Sequence, residues 1–274
     1  MPINTRVTSQ IQSNIRAHDK IAKKYELRHG EIYNEIEQTR LKDALTTAVA
    51  LLSTDTKTKL ALDFGCGAGN LTSHMSSLGM DVLACDVSQG FLDLISSRSY
   101  HTKVETKQIN GSDLSDIASN TIDMIATYSV LHHVPDYLGI LAEFVRVLKP
   151  GGIIFIDHEA SKEVWVPTEQ RLAYLRETSE NIESKWHKYL KLENYVNWFI
   201  WKFINSRYRS EGDIHVFADD HIEWDLVASR LADAGAVVMI EKNYLLFRRG
   251  ANMDVYKKYC AKTTDMRLIV ARKL

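Results

Sequence analysis

Between positions 60 and 71 the chain reads Leu60-Ala61-Leu62-Asp63-Phe64-Gly65-Cys66-Gly67-Ala68-Gly69-Asn70-Leu71. The apolar start predicts a short strand, the glycines predict a turn, and a helix is expected from about Asn70 to Leu78. Three glycines at alternate positions let the backbone take positive φ and leave no Cβ that would block a ligand. The first N–H groups of the helix point into the same turn. This unit predicts the nucleotide-binding corner of a doubly wound α/β sheet.

The glycine spacing indicates which nucleotide the corner binds. A dinucleotide fingerprint is G-x-G-x-x-G, whereas the glycines here are Gly65, Gly67 and Gly69. The carboxylate of Asp63, just before them, would repel a pyrophosphate but suits a ligand with positive charge. The pattern D-x-G-x-G-x-G resembles motif I of the class I S-adenosylmethionine-dependent methyltransferases, whose cofactor carries an ammonium and a sulfonium group. The resemblance implies S-adenosylmethionine as cofactor, S-adenosylhomocysteine as product, and cofactor contacts from Asp63, Gly65, Cys66, Gly67 and Gly69.

A second acidic residue ends the next expected strand, Met80 to Asp86. Asp86 lies 21 residues beyond Gly65. In nucleotide-binding α/β folds an acid at this place accepts hydrogen bonds from the ribose hydroxyls, because an ionised carboxylate can hold both at once. We therefore expect Asp86 and the adjacent Val87 to contact the cofactor.

A third expected strand, Val104 to Ile109, leads into a loop that contains Asp113 and Leu114. In methyltransferases of the class that the chain resembles, an acid in this loop often contacts the adenine amino group. The resemblance implies this role for Asp113, with Leu114 beside it. The alternative is that Asp113 caps a helix in a turn rich in glycine and serine.

The fourth expected strand, Ile122 to Ser129, is apolar enough to be buried on both faces. A helix from Asp136 to Leu148 and a fifth strand from Ile153 to Asp157 should follow. The pattern Tyr-Ser-Val-Leu-His-His-Val, then Arg-Val-Leu-Lys-Pro-Gly-Gly, is similar to the methyltransferases that include the ubiquinone and menaquinone C-methylating enzymes. This resemblance covers about Leu60 to His158. It implies cofactor contacts from Tyr128 and Ser129.

We predict a single methyltransferase domain of the α/β class, a doubly wound Rossmann-like, seven-stranded, mostly parallel sheet with an antiparallel last strand and a helical lid insertion. Its parts are an N-terminal helical cap (1–53), a cofactor-binding core (54–158), an aromatic-rich helical insertion (159–211), and a C-terminal helix and strands that complete the sheet (212–274). The last part should contain a helix from Asp219 to Ala234 and two strands. In the cap, Tyr25 is either a cofactor contact or a core aromatic.

Aromatic residues are concentrated in the insertion 159–211, which holds ten of the 25 in the chain. Around Tyr195 to Ile204 the expected helix is apolar over more than the width of one core contact, with Trp198 and Trp201 off the main stripe. Surplus apolar surface indicates a pocket wall, a subunit contact or a membrane-surface element. A lid over the acceptor is our first hypothesis and a homodimer contact the second. The acceptor should then be a small, largely apolar or aromatic molecule.

Methyl transfer requires alignment of the acceptor with the S–CH₃ bond and exclusion of water, and a base only if the acceptor loses a proton. The candidate bases are His158, His132 and His133, because histidine titrates near neutral pH. Structural packing is the alternative role for these side chains. A metal-dependent enzyme would need clustered carboxylates. Asp157 and Glu159 alone are too few, so no metal is expected.

The composition argues against several other classes of function. With 34 Lys and Arg against 35 Asp and Glu the net charge is −1, so no basic field gathers nucleic acid. The three cysteines lack metal-ligand spacing, and no apolar run approaches the ~20 residues of a transmembrane helix. A cytoplasmic location is expected. The rival hypotheses are methylation of a macromolecule (RNA or protein) and a non-methylating enzyme or binding protein on the same fold.

Overall fold

A seven-stranded sheet forms the centre of the molecule. The computed structural model describes residues 32–55, 57–180, 213–248 and 250–274. In chain order the described strands are β1 (Leu60–Phe64), β2 (Asp81–Asp86), β3 (Val104–Gln108), β4 (Ile122–Tyr128), β5 (Leu148–Ala160), the short hairpin pair β6 (Val216–Phe217) and β7 (Asp220–His221), β8 (Ala236–Tyr244) and β9 (Met266–Lys273). The sheet follows the spatial order β3-β2-β1-β4-β5-β9-β8, and β9 runs antiparallel to both of its neighbours. This confirms the predicted doubly wound, mostly parallel sheet with an antiparallel last strand.

Helices cover both faces of the sheet. On one face Leu41 and Met75, from the first two helices, share a hydrophobic cluster with Val82 of β2. On the other face Phe144 and Val227 pack in the main core cluster. The helices of the described residues are α1 (Glu35–Ala50), α2 (Asn70–Ser77), α3 (Gln89–Ser96), α4 (Tyr137–Val147), α5 (Glu169–Glu180), α6 (Trp224–Asp233) and α7 (Met253–Tyr259).

The strand order reverses at β1, which pairs with β2 on one side and with β4 on the other. Strands on the two sides of such a switch point leave a crevice beyond their carboxyl ends, and ligands of doubly wound folds bind there. Phe64, Asp86 and Tyr128 are the last residues of these three strands. The fold therefore brings several of the predicted cofactor contacts to one edge of the sheet.

Strand β5 is longer than the sequence predicts. It spans Leu148–Ala160, whereas the expected strand covers only Ile153 to Asp157. It starts early because Leu148 already pairs with Ile122, ahead of an irregularity in the ladder. It ends late because its last two residues pair with β9. The beginning of the predicted insertion 159–211 thus belongs to the sheet.

The helix expected from Asp219 to Ala234 begins later than the sequence predicts. It is α6, which starts at Trp224, because residues 220 and 221 pair with 216 and 217 in the β6–β7 hairpin. On α6, Leu226 is 51% exposed, while Val227 is fully buried.

Helix α7, between β8 and β9, is absent from the sequence-based prediction. Its start has a clear local cause, since the side chain of Asn252 accepts hydrogen bonds from the backbone N–H groups of Asp254 and Val255. The helix is short, and only Val255 and Tyr259 are buried on it.

Three residues that the sequence analysis singles out lie outside the described residues. They are Tyr25 of the N-terminal cap and Trp198 and Trp201 of the insertion. Within the described ranges, no helix combines the length and the apolar character needed to cross a membrane.

Candidate functional site

A cavity of about 730 Å³, open to solvent, lies at the carboxyl ends of β1, β2 and β4. A second, adjoining hollow of about 340 Å³ shares Gly65, Gly67 and Tyr128 with it. The larger cavity is lined by Phe64, Gly65, Gly67, Asp86, Val87, Phe91, Ile109, Gly111, Tyr128, Ser129, Val130, His133 and Val134.

Two glycines of the turn after β1 have different structural roles. Gly65 has φ +71°, and a Cβ there would lie 2.6 Å from the side chain of Val130. Gly67 has φ +47°, and a Cβ there would meet nothing within 4 Å. Gly65 is therefore required by packing between the β1 and β4 loops, whereas Gly67 leaves open space at the cavity. The third glycine, Gly69, has φ +85° at the N-cap of α2 and does not line either hollow.

Asp86 organises the turn as well as lining the cavity. One carboxylate oxygen accepts a hydrogen bond from the backbone N–H of Gly67 at 2.9 Å, and the other accepts one from Ser88 at 2.8 Å. The residue is only 5% exposed. Both bonds orient an ionised carboxylate at the end of β2, where the cavity-lining Val87 follows. This geometry suits an acceptor for two neighbouring hydroxyls.

Asp63 lines the second hollow and is more deeply buried than Asp86. Its carboxylate accepts a hydrogen bond from the Thr72 hydroxyl at 2.6 Å, and the residue is 1% exposed. Burial raises the pKa of this carboxyl to about 7, against the opposing effect of the Thr72 bond. A bound cation would favour the ionised form, because it replaces the lost hydration of the charge. Cys66 shares this hollow, and burial raises the pKa of its thiol.

Two residues beside Tyr128 have unusual backbone conformations. Ser129 after β4 has φ 60° and His158 in β5 has φ 62°, although neither is glycine. The ring of His158 stacks on that of Tyr128, with 4.6 Å between centroids and 21° between planes. Such conformations cost about 1–3 kcal/mol each and concentrate at functional sites. Tyr128 and Ser129 line the cavity, whereas His158 is buried behind Tyr128.

The two adjacent histidines after β4 have different surroundings. His133 lines the cavity. His132 is turned away from it, and its Nδ1 lies 2.8 Å from a carboxylate oxygen of Glu159. The two rings are 4.2 Å apart between centroids. Of the three candidate bases, His133 is the one that reaches the cavity directly.

The loop after β3 has Asp113 and Leu114 outside the residues that line the cavity. Asp113 accepts hydrogen bonds from the backbone N–H and the hydroxyl of Ser115, which lower the pKa of its carboxyl. Leu114 is buried, and its backbone N–H donates to Glu143. Neither residue lines the cavity, and Ile109 and Gly111 lie there instead.

Sequence reasoning also missed other apolar wall residues, among them Phe91 and Val130. Their position in the sequence could have indicated them, because each follows the end of a parallel strand by a few residues and such residues lie at the ligand-binding edge of the sheet. Phe91 is in the first turn of α3, where its N–H is held by the side chain of the N-cap Ser88. Val130 follows β4 and packs against Gly65.

Comparison with known proteins identifies the region that contains this site. Residues 62–156 match the family described as a methyltransferase domain. The larger part of the described sheet lies in this range, and the crevice with Gly65, Gly67 and Asp86 lies at its edge. Residues 62–156 form a class I S-adenosylmethionine-dependent methyltransferase domain. The recognition based on motif I and on the segment after β4 is thereby confirmed, as is the cofactor that it implies.

The relatives of this methyltransferase domain show how far the likeness extends. The ubiquinone biosynthesis O-methyltransferase of Methylococcus capsulatus is 34% identical over 100 residues, which are 35% of this chain and 41% of that protein. The match thus spans less than half of the relative. Among solved structures, an S-adenosylmethionine-dependent methyltransferase from Mesorhizobium loti aligns with a TM-score of 0.55 and 15% identity, covering 83% of this chain and 96% of the other.

A chain from the complex between the Haloferax volcanii Trm112 methyltransferase activator and a methyltransferase aligns over more of the molecule. Its TM-score is 0.56 at 15% identity, and the alignment covers 95% of this chain and 96% of that chain. These structural likenesses establish the methyltransferase fold. They extend it beyond the 62–156 region to most of the chain.

Proposed function

We propose that this protein transfers the methyl group of S-adenosylmethionine to a small, largely apolar or aromatic acceptor by in-line displacement. The observation that carries the proposal is the constellation of Gly67 and Asp86 at the switch point of the sheet. A buried, pre-oriented carboxylate and an open glycine face the same cavity there. This arrangement supports a bound adenosyl group, with the ribose hydroxyls on Asp86.

The buried position of Asp63 supports a role in binding the positively charged end of the cofactor. Its carboxylate is buried beside the glycine turn and accepts a hydrogen bond from the Thr72 hydroxyl. In a low-dielectric site a cationic group of the ligand would stabilise the ionised form strongly. We assign this carboxylate to the cationic, methionine-derived end of S-adenosylmethionine. Gly65, Cys66, Gly69, Tyr128 and Ser129 stay predicted cofactor contacts, as do Tyr25, Asp113 and Leu114.

The acceptor side of the site is apolar. Val130 and Val134, which follow β4, contribute apolar wall there, whereas Phe91 and Ile109 follow β2 and β3 on the side proposed for the adenosyl group. An apolar wall with few polar groups favours an apolar or aromatic acceptor and excludes water from the transfer step. The O-methyltransferase names of the sequence relatives favour a hydroxyl acceptor. We propose that the insertion 159–211 covers this acceptor as a lid, with dimer formation through the same segment as the competing hypothesis.

If the acceptor is a hydroxyl, its proton needs a destination during transfer. His133 is our first candidate for this base because it lines the cavity. His158 does not line the cavity and stacks on the ring of Tyr128, so we propose that it orients this ring. Methyl transfer itself requires only that the acceptor oxygen lie in line with the S–CH₃ bond.

Calorimetry tests the cofactor assignment. S-adenosylmethionine and S-adenosylhomocysteine should bind at micromolar concentrations, and NAD much more weakly, because Asp63 opposes a pyrophosphate. Incubation of the purified protein with methyl-labelled S-adenosylmethionine and extracts of its host should then transfer label to an organic-soluble small molecule. Preferential binding of NAD would overturn the cofactor assignment. Label recovered in RNA or protein instead would overturn the proposed acceptor class.

A further inference from the structure

Three potential metal ligands meet beside the cavity. They are Nε2 of His132, Nδ1 of His133 and a carboxylate oxygen of Asp213. One ligand atom from each residue lies within 4.8 Å of the others. The Asp213 oxygen is 3.4 Å from Nδ1 of His133 and 3.8 Å from Nε2 of His132. Ligands bound at about 2.0–2.2 Å to a tetrahedral ion are separated by roughly 3.3–3.6 Å. The Asp213 oxygen is already within a few tenths of an ångström of this separation from each histidine nitrogen. The two nitrogens lie within 4.8 Å of each other and reach it by rotation of the imidazole rings.

The backbone around Asp213 holds it in this position. The N–H groups of the next two residues, Ile214 and His215, both donate to the carbonyl oxygen of His132, at 3.1 and 3.0 Å. His215 is itself fixed, since its ring nitrogens contact Asp220 at 2.6 Å and the carbonyl of Val134 at 3.1 Å. The β6–β7 hairpin therefore anchors the carboxylate to the histidine loop.

A buried carboxylate behind the cluster orients the first histidine. Glu159 is 1% exposed, and one of its oxygens accepts bonds from the backbone N–H groups of Val130 and Leu131 at 2.8 and 2.7 Å. Its other oxygen lies 2.8 Å from Nδ1 of His132. When this oxygen accepts a hydrogen bond from Nδ1–H of His132, the lone pair of the neutral ring is on Nε2, toward Asp213. Carboxylates act in this way on the histidine ligands of metals.

We propose that His132, His133 and Asp213 bind a divalent first-row transition-metal ion, with Glu159 as the residue that orients His132. Two imidazoles and one carboxylate leave at least one coordination position open, the donor set of catalytic zinc and non-haem iron sites. From the sequence, Asp157 and Glu159 alone are too few ligands to predict a metal, and Asp213 is far from the two histidines along the chain. Since His133 lines the cavity, a bound ion would adjoin it and, if the proposed function holds, would lower the pKa of the acceptor hydroxyl. The ion would then replace His133 as the group that assists loss of the acceptor proton, because a neutral imidazole bound through Nδ1 carries its hydrogen on Nε2.

The test is metal binding by the full chain, freed of metal by dialysis against a chelator. Zn²⁺ is titrated by calorimetry and Co²⁺ by its visible absorption, which reports low coordination number. We expect one ion per chain at micromolar or lower concentration. His133→Ala and Asp213→Asn should each weaken binding at least tenfold. His221→Ala, which removes a histidine next to Glu223 on the same hairpin, is the matched control and should bind as the unaltered protein does.

Glu159→Gln gives the sharpest variant, because it keeps the side-chain oxygen that accepts the two backbone bonds. Its amide would donate to Nδ1 of His132 and so move the imidazole hydrogen onto the ligand atom Nε2. We expect a 10–100-fold loss of metal affinity with circular dichroism unchanged. Equal binding by Asp213→Asn and the unaltered chain, or Zn²⁺ binding weaker than millimolar, would overturn the proposal. S-adenosylmethionine binding is measured separately on the same samples, so that failure of the proposed function is distinguished from failure of the metal site.

Discussion

Arg40 of α1 and Asp157 of β5 form an ion pair at 2.9 Å, with the aspartate side chain fully buried. The guanidinium also lies 3.9 Å from the centre of the Tyr244 ring, and the Tyr244 hydroxyl donates to the same aspartate at 2.9 Å. The backbone N–H of His158 donates to it at 2.8 Å. The pair therefore ties α1 and β8 to the strand end that bears His158.

Removal of one partner from this pair should be costly. Arg40→Met leaves Asp157 buried without its cation, for which a loss of about 3–5 kcal/mol in the free energy of unfolding is typical. We expect a value near the lower end, because the aspartate keeps its other donors. Urea denaturation measures the change. Lys103→Met, which removes a pair exposed on both sides, is the control and should shift the midpoint little. Equal effects of the two substitutions would show that the buried pair does not stabilise the fold.

Asp86→Ala should weaken S-adenosylmethionine binding about tenfold or more. Charge-assisted hydrogen bonds contribute about 1.5–3 kcal/mol each, and the substitution also leaves the Gly67 and Ser88 N–H groups without this acceptor. Calorimetry measures the affinity, and circular dichroism checks the fold. Asp81→Ala, at the opposite end of β2, is the matched control and should bind normally. A folded Asp86→Ala protein with normal affinity would place the ribose elsewhere.

Binding of the cationic cofactor should depend on pH through Asp63. Because the pKa of this buried carboxyl is about 7, it is largely protonated at pH 6 and largely ionised at pH 8. A cation prefers the ionised form, so affinity should rise about tenfold from pH 6 to pH 8, with protons released on binding. Asp63→Asn should flatten this profile. 5′-Methylthioadenosine, which lacks both cationic groups, is the control ligand and should show no such rise. A steep profile that persists in Asp63→Asn would assign the titration to another group.

The raised pKa of Asp63 should also make the folding stability depend on pH. Stability should fall as the pH rises, whereas cofactor affinity should increase. The folded protein holds the Asp63 proton more tightly than the unfolded chain does, whose carboxyl titrates near its ordinary value of 3.8. This contribution to stability is complete below pH 4 and is lost as the pH rises through about 7. Asp63→Asn should therefore gain stability relative to the unaltered protein between pH 5 and pH 8. Denaturant titrations at the two pH values measure the difference, and a gain that is independent of pH would contradict the assignment.

Trp198→Ala separates the lid hypothesis from the dimer hypothesis. If the insertion covers the acceptor, the substitution should raise the acceptor KM and leave cofactor affinity and molecular mass unchanged. If Trp198 instead packs against a second copy, light scattering should report a lower mass and dilute samples should melt at lower temperature. A monomeric variant with normal acceptor kinetics would exclude the lid.

Much of the cofactor-binding core could be predicted from the sequence, because the patterns that indicate it involve residues that are close together along the chain. The alternation of apolar strands and amphipathic helices predicts the parallel sheet, and a glycine turn between strand and helix predicts the crevice. Asp86 follows from its distance to Gly65 along the chain. The resemblance implies that Asp113 contacts the adenine, and this stays a prediction; in the structure its carboxylate accepts a bond from the Ser115 hydroxyl, and Ile109 and Gly111 line the cavity. Sequence spacing identifies the loop but does not distinguish which of its side chains faces the ligand.

Sequence alone determined the strand–turn–helix corner, the doubly wound sheet and the cofactor, because each depends on residues that are neighbours along the chain. Tertiary structure decided which distant residues meet. Asp213 lies beside His132 and His133 only because the β6–β7 hairpin packs against the loop after β4, and Arg40 meets Asp157 across 117 positions. Such contacts are set by strand order and by the packing of helices on the sheet, and no local pattern encodes them. The proposed metal site therefore becomes visible only in the folded chain.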